Sequence, residues 1–279
     1  MIQTLRNEFP RVPVTRMAVL LEVPRSLVYR KPRVREVSPL LDEIQRLAVR
    51  FLGYGYRRVH RTLVAEGYEV SEYHVRQVMR DHGLLARRPR SKGCTRSSRK
   101  DRRTGNLVKG LTPDAPNHVW VADTTRIRVG SRAMYLAAML DVYSRKIVGF
   151  ALGSRNDEAL VTRCLQQAIL ARRPGLGWIH HSDQGSTYLA AGYVGLIRGF
   201  GGRLSTSAAG KPTENAFIES FFRTLKFEEV DRNHYQSALE AETAIRLYIE
   251  STYNHERMHS SLGYMSPDQF ESLALEDKR

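Results

Sequence analysis

Apolar side chains recur at helical spacing in the first third of the chain. Residues 40–52, LLDEIQRLAVRFL, carry them every three or four positions and stop at Gly53. The segment 56–67 repeats the pattern, and Ser71 is a suitable N-cap for a third helix that begins at Glu72. Three short helices with a glycine-containing turn before the last one predict a helix-turn-helix module.

The third predicted helix would turn Val75, Val78 and Met79 inward. Its other face is aromatic, polar and basic, as expected of a helix that enters a DNA groove. The residues predicted to face the groove are Tyr73, His74, Arg76, Gln77 and Arg80. A purely structural bundle of three helices is the alternative interpretation. A weaker form of the pattern at 15–30 predicts a short helical, helix-turn-helix-like segment within residues 1–36.

The second half of the chain alternates strand and helix patterns. Residues 117–129 and 133–143 are predicted as adjacent strands joined at Gly130-Ser131, and 146–152 as a third strand. Further elements are predicted over 157–173 (helix), 177–183 (strand), 188–199 (helix), 203–206 (strand) and 214–230 (helix). A meander followed by alternating helices and strands predicts an α/β domain with a mixed sheet covered by helices, the order found in ribonuclease H-like folds.

Positive charge is concentrated near the start of the chain. The 279 residues carry 44 Lys and Arg against 29 Asp and Glu, a net charge of +15. Residues 1–112 contain 25 of the basic and 10 of the acidic residues, so the whole excess lies there and residues 113–279 are neutral. This distribution is typical of a polyanion-binding region followed by a domain with a different task. A contribution to solubility alone is the alternative explanation.

A basic run separates the two regions. Residues 87–103 contain nine Lys or Arg and no apolar periodicity, so the run cannot bury enough surface to fold alone. We therefore predict the segment 1–36, a helix-turn-helix DNA-binding domain over 37–86, a basic linker over 87–112 and an α/β core over 113–279.

Composition excludes several classes of protein. Apolar residues make up 42% and charged residues 26% of the chain, as in soluble globular proteins. No segment has the roughly 20 consecutive apolar residues of a membrane span, and the N-terminus does not resemble a signal peptide, so we expect a cytoplasmic protein without a membrane partner. With only Cys94 and Cys164, a disulfide framework and a zinc site built on paired cysteines are excluded.

Three acidic residues occupy positions that favour metal chemistry. Asp123 interrupts the apolar strand VWVADTTRI, where an uncompensated charge is costly to bury. Asp183 ends the short strand WIHHSD, at the edge where α/β folds place reactive groups. Glu219 lies within a helix. Three such carboxylates can hold two divalent cations roughly 3.5 to 4 Å apart, and oxygen ligands favour Mg²⁺ or Mn²⁺.

Helical spacing places Glu219 on a mainly polar face. The residues predicted to share that face are Asn215, Phe222 and Lys226. The apolar stripe expected to pack on the sheet consists of Ile218, Phe221 and Leu225.

Four sequence blocks together resemble the catalytic blocks of DDE transposases. They are VWVADTTRI, HHSDQGSTY, ENAFIESFFRTLKFE and YNHERMHSSLGYMSP, and 35 residues separate Asp183 from Glu219. The upstream segment YGYRRVHRTLVAEGYEVSEYHVRQVMRDHGL resembles the helix-turn-helix of the same proteins. The resemblance covers most of residues 40–270 and points to the second reading-frame product of the insertion-sequence-three family.

This resemblance implies a retroviral-integrase-like catalytic core of the ribonuclease H-like fold. It implies that Asp123, Asp183 and Glu219 are catalytic and bind two Mg²⁺ or Mn²⁺ ions. It implies that Lys226 contacts transposon-end DNA, and Arg223 and Asn215 are further DNA-binding candidates. The implied partners are transposon-end and target DNA, further copies of the chain as a homo-oligomer on DNA, and the upstream reading-frame product. The implied setting is the bacterial nucleoid.

Other polar residues have competing interpretations. A two-residue turn at Gly130-Ser131 would place Asp141 and Asp123 on opposite faces of the sheet, and a three-residue turn would place them on the same face. His180 and His181 lack a second pair of zinc ligands at suitable spacing. A cluster that either contacts DNA or closes the domain through hydrogen bonds consists of Asn254, His255, Arg257 and His259.

The leading hypothesis is a transposase that catalyses metal-dependent DNA strand cleavage and strand transfer at insertion-sequence ends. A DNA-binding regulator with an idle integrase-like core is the alternative, and the complete set of carboxylates disfavours it. A nuclease of the same fold that cuts but does not join strands is a third interpretation.

Overall fold

The computed structural model describes residues 8–22, 24, 38–86, 105–207 and 215–276. Two units are distinguished, residues 1–42 and 43–279. In the first unit, helix α1 spans Val14–Leu20. Most of the predicted pattern beyond this helix, and the whole basic run 87–103, lie outside the described residues. Among the helices that are described, none is long and apolar enough to cross a membrane.

Three helices precede the sheet, as the apolar spacing predicted. They are α2 (Leu41–Arg50), α3 (Tyr56–Ala65) and α4 (Glu72–Asp81). Ser71 caps α4, because its hydroxyl accepts a hydrogen bond from the backbone N–H of His74 at 3.2 Å. The predicted inward residues Val75, Val78 and Met79 are all buried.

A five-stranded mixed sheet forms the centre of the second unit. Its strands are β1 (Val119–Val129), β2 (Arg132–Asp141), β3 (Ile147–Gly153), β4 (Ile179–Ser182) and β5 (Arg203–Thr206). The spatial order is β3-β2-β1-β4-β5, with β1 to β3 antiparallel and β4 and β5 parallel to β1. Val129 pairs with Arg132, so the turn has two residues, and Gly130 adopts the positive φ of 55° that such turns require.

Helices cover both faces of this sheet. Helices α5 (Glu158–Arg172) and α6 (Ala191–Gly199) pack on the face that carries Trp120 and Ala122. The opposite face, with Val119 and Val121, is covered by α7 (Ala216–Glu228), α8 (Ala238–Leu247) and the π-helical segment Tyr248–Glu256. Helix α9 (Pro267–Glu276) follows. Alternate residues of β1 therefore belong to two separate apolar cores.

Two residues of the cluster after α8, Asn254 and Arg257, form hydrogen bonds within the domain. Asn254 forms two 2.9 Å hydrogen bonds with Ile147, one to its backbone N–H and one to its carbonyl, and so satisfies the start of the edge strand. Arg257 is 3% exposed and donates to both carboxylate oxygens of Glu228 at 2.9 and 2.8 Å. Burial alone would raise the pKa of Glu228, but the hydrogen bonds and charge of Arg257 hold it below its ordinary value.

The three-helix module packs on the same corner. The hydroxyl of Tyr54 accepts a hydrogen bond from the backbone N–H of Met258 at 2.7 Å. Gly53 lies so close to Glu228 that a Cβ at this position would overlap the carboxylate. A side chain at this position has no room, so glycine is required. The buried ion pair at the end of α7 therefore also contacts the helix-turn-helix module.

We predict that Arg257→Met lowers the free energy of unfolding by about 3 to 5 kcal/mol, because it leaves the buried Glu228 without its cation. Urea unfolding measures this loss. Arg46→Met, which breaks an exposed ion pair with Glu66 at 2.6 Å, is the control and should change the free energy by less than about 1 kcal/mol. Equal losses in the two variants would contradict the importance of the buried pair.

Candidate active site

The pairing of β1 with β4 brings two of the three carboxylates together. The last parallel pair joins Val121 to His181. Continuing this register by two residues places Asp183 level with Asp123. Neighbouring strands lie about 4.8 Å apart, so two residues far apart in sequence become direct neighbours at the edge where β4 ends.

Helix α7 supplies the third carboxylate. It packs on the face of β1 that carries Val121, and Asp123 lies two residues further along the same face. Ile218, Phe221 and Leu225 are buried against the sheet, as predicted. Phe222, which was predicted to share the face of Glu219 and not the apolar stripe, is buried as well, at 5% exposure. The apolar face of α7 is wider than the predicted stripe. Glu219 is half-buried and lies at the edge of this face.

The charges of Asp183 and Glu219 both act on Asp123. The pKa of Asp123 is raised to about 7, first by burial of this half-buried carboxyl group and then by the negative charges of Asp183 and Glu219. A hydrogen bond from the backbone N–H of Thr124 and the charge of Lys226 act in the opposite direction. The positive charge nearby therefore does not compensate the carboxylates.

Local backbone groups orient the two aspartates. One carboxylate oxygen of Asp123 accepts the Thr124 N–H at 2.7 Å, and one of Asp183 accepts the Gly185 N–H at 2.9 Å. Asp183 is exposed at the end of its strand. Within the described ranges, no three His, Cys, Asp or Glu side chains are already arranged to hold a metal ion. The three carboxylates are thus electrostatic neighbours rather than a preformed set of ligands.

The predicted DNA-contact residues of α7 occupy different environments. Lys226 is half-buried and close enough to Asp123 to lower its pKa. Arg223, one turn after Glu219, is exposed. Asn215 is only 5% exposed and donates to the carbonyl of Ala122 at 3.3 Å. This placement favours a role for Asn215 in holding the start of α7 against β1, next to Asp123, over the predicted contact with DNA.

The residues predicted to face a DNA groove lie on the outer side of α4. Tyr73, His74, Arg76 and Arg80 are exposed and Gln77 is half-buried. The guanidinium of Arg76 lies over the ring of Tyr56, 5.3 Å from its centre. The structure thus leaves an aromatic and basic surface on α4, and the contact of that surface with DNA stays a prediction.

One residue near the carboxylates was missed by the sequence analysis. Tyr188 is 3% exposed, and in the described part of the chain its hydroxyl has no hydrogen-bond partner. Burial raises its pKa well above the ordinary value, and the charges of Asp123 and Asp183 add to the shift. The HSDQGSTY block that supplied Asp183 contains this tyrosine, but its burial depends on packing against α6, which spacing does not reveal.

The competing acidic and histidine candidates are structural. Asp141 is fully buried and accepts backbone N–H groups of Asn117 at 2.6 Å and Tyr143 at 2.9 Å. It pairs with Trp120, so it lies on the face opposite Asp123, as the two-residue turn predicts. His180 and His181 are also fully buried. Burial lowers the pKa of His180 to about 3, so this residue is neutral.

Three protein families match parts of this chain. The integrase core domain family matches residues 113–212, and a second integrase core domain family matches 201–267. An HTH-like domain family matches residues 37–92. The fold and these matches define a protein with an integrase catalytic core, of the ribonuclease H-like class, preceded by an HTH-like domain.

Two bacterial relatives specify the family. The transposase for insertion sequence element IS904 of Lactococcus lactis subsp. lactis (strain IL1403) is 36% identical over 249 residues, which cover 88% of this chain and 98% of the relative. Transposase InsF for insertion sequence IS3A of Escherichia coli (strain K12) is 33% identical over 224 residues, which cover 80% and 78%. The chain belongs to the insertion-sequence-three family of transposases.

Solved structures of viral integrases match part of this chain. An intasome of simian T-cell lymphotropic virus in complex with PP2A regulatory subunit B56 gamma matches with a TM-score of 0.49 and 14% identity, covering 82% of this chain and 74% of that chain. The catalytic core domain of BIV integrase matches with a TM-score of 0.45 and 19% identity, covering 58% and 98%.

We predict that Asp123→Asn stabilises the metal-free protein at pH 8 by an amount on the order of 1 kcal/mol. The folded-state pKa of about 7 lies above the ordinary value, so the wild-type carboxyl group contributes stability at low pH and loses it as the pH rises through 7. The advantage of the Asn variant should therefore shrink between pH 8 and pH 5. Urea unfolding at both pH values measures it, and an unchanged difference would contradict the raised pKa.

Proposed function

We propose that this chain catalyses Mg²⁺- or Mn²⁺-dependent cleavage and strand transfer of DNA at insertion-sequence ends, with Asp123, Asp183 and Glu219 as the catalytic residues. The proposal is carried by the convergence of the three carboxylates from a central strand, a neighbouring strand end and a covering helix. The negative charges of Asp183 and Glu219 both act on the pKa of Asp123, which supports this convergence. Membership of a transposase family supports the same reaction.

The residues present fit divalent cations. All three donors are carboxylates, which Mg²⁺ and Mn²⁺ prefer, and a cation would offset the negative charges of Asp183 and Glu219 that act on Asp123. Because the side chains of the described residues do not already form a set of ligands, binding requires these carboxylates to rearrange. Two bound cations would lower the pKa of the attacking hydroxyl group and stabilise the charge on the leaving oxygen.

The reaction is a pair of phosphoryl transfers. In cleavage, a water oxygen bonds to phosphorus while the bond to the 3′ oxygen breaks, and that oxygen keeps the electron pair and takes up a proton. In strand transfer, the freed 3′-hydroxyl loses its proton, attacks a phosphodiester of another strand and displaces its 3′ oxygen. Under this proposal the three carboxylates act in both steps, and Lys226, whose charge acts on Asp123, binds a neighbouring phosphate.

DNA and further protein chains are the proposed partners. The exposed face of α4 and the excess positive charge of residues 1–112 suit transposon-end DNA. Further copies of the chain on the two element ends, a target duplex and the upstream reading-frame product complete the proposed assembly. The alternative of a DNA-binding regulator with an idle core gains no support from the site, because the complete set of carboxylates is brought together.

We predict that Asp123→Asn, Asp183→Asn and Glu219→Gln each abolish Mg²⁺-dependent cleavage and joining of element-end DNA, because each removes a charged ligand. Gel assays with labelled duplexes measure both reactions. Binding of the same duplex without divalent metal should stay within a few-fold of wild type. Asp141→Asn is the matched control and should retain the chemistry in the folded fraction. Cleavage by the triple variant would overturn the assignment.

We predict that Arg80→Ala weakens binding of element-end duplexes and reduces the slope of log affinity against log salt by about 1, because one phosphate contact is lost. Electrophoretic mobility shifts over a range of salt concentrations provide the measurement. Arg198→Ala removes an exposed arginine from α6, on the other side of the sheet, and should leave the slope unchanged. Identical slopes for the two variants would remove α4 from the DNA interface.

A further inference from the structure

A second polar site lies beside the helix that carries Glu219. It is a cavity of about 220 Å³ between α3, the turn after β2, helix α7 and the C-terminal segment. The residues that carry its chemistry are Arg58, Arg145, Arg257, Ser220, Thr224 and His259. No Asp or Glu appears among the lining residues of the described chain. Ser220 follows Glu219 directly, but consecutive helical residues point about 100° apart, so the cavity and the carboxylates lie on different sides of α7.

Arg145 is held in place with unused hydrogen-bonding capacity. Its guanidinium carbon lies 3.6 Å from the centre of the Phe217 ring, and its backbone has a φ of +64°, which is uncommon for a residue with a side chain. One terminal nitrogen, Nη1, is buried and has no hydrogen-bond partner in the described part of the chain. An unpartnered buried guanidinium N–H is costly, so this group is suited to an external acceptor.

The lining of the cavity is basic. Arg257 donates two hydrogen bonds to Glu228, and the guanidinium groups of Arg58 and Arg145 also line the cavity. Burial, and then the charges of Arg257, Arg58 and Arg145, lower the pKa of His259 to about 3.

We propose that this cavity binds a phosphate group of a DNA strand. The guanidinium groups and the hydroxyls of Ser220 and Thr224 that line the cavity are donors that match the oxygen acceptors of a phosphate. The assignment of the phosphate to DNA rests on the proposed function, whereas the anion site itself does not. Arg58 comes from the helix-turn-helix module and Arg145 from the sheet, so one bound phosphate connects both modules to α7.

Inorganic phosphate tests the anion site. At constant ionic strength and without divalent metal, phosphate in place of chloride should raise the melting temperature of the full chain. Arg145→Gln should lose this rise, and so should Arg58→Gln in α3, while the control Arg198→Gln should retain it. Melting without phosphate reports whether each variant folds. A full rise in both cavity variants, or no rise in the wild type, would overturn the proposal.

Element-end DNA tests the source of the phosphate. In metal-free buffer, Arg145→Gln should reduce the slope of log affinity against log salt by about 1, again with Arg198→Gln unchanged. Loss of the phosphate effect together with an unchanged slope would overturn the assignment to DNA.

Asp123→Asn separates this inference from the proposed function. It should leave the melting shift and the salt slope at wild-type values while strand cleavage is lost. If wild-type protein shifts with phosphate but neither cuts nor joins DNA, the catalytic proposal fails and the anion site stands. If cleavage depends on the carboxylates but the cavity variants respond to phosphate as the wild type does, the anion site fails alone.

Discussion

Strand β1 pairs in opposite senses with its two neighbours, antiparallel with β2 and parallel with β4. The parallel pair fixes the register that places Asp123 and Asp183 side by side. The alternation of side chains along the same strand turns Asp123 toward α7 and therefore toward Glu219. A shift of one residue in this register would turn the neighbouring side chains to the other face and separate the carboxylates.

Local signals in the sequence predicted much of this arrangement. The apolar periods gave the three short helices, the mixed sheet and its covering helices, and Ser71 was correctly identified as a cap. These features depend on neighbours along the chain, so spacing was sufficient to predict them. The length of the Gly130-Ser131 turn stayed open between two and three residues; the structure has two, which places Asp141 on the face opposite Asp123.

Features that depend on long-range packing were not predictable in the same way. Phe222 was predicted to lie outside the apolar stripe of α7, but it is buried in the same core as that stripe. Tyr188 is buried near the carboxylates, and Arg145 stacks on Phe217 across the domain. The even balance of charge over residues 113–279 also concealed the basic lining of the cavity beside α7, because net charge carries no information on position.

Helix α7 connects two tasks through its two ends. Glu219 is near its start, and Glu228 at its last turn is enclosed by Arg257 and lies directly against Gly53 of the helix-turn-helix module. Because the helix-turn-helix module packs against α7 in this way, it is held at a fixed distance from the carboxylates. Under the proposed function the protein would act as a ruler, in which the cut falls a set number of base pairs from the sequence that α4 reads.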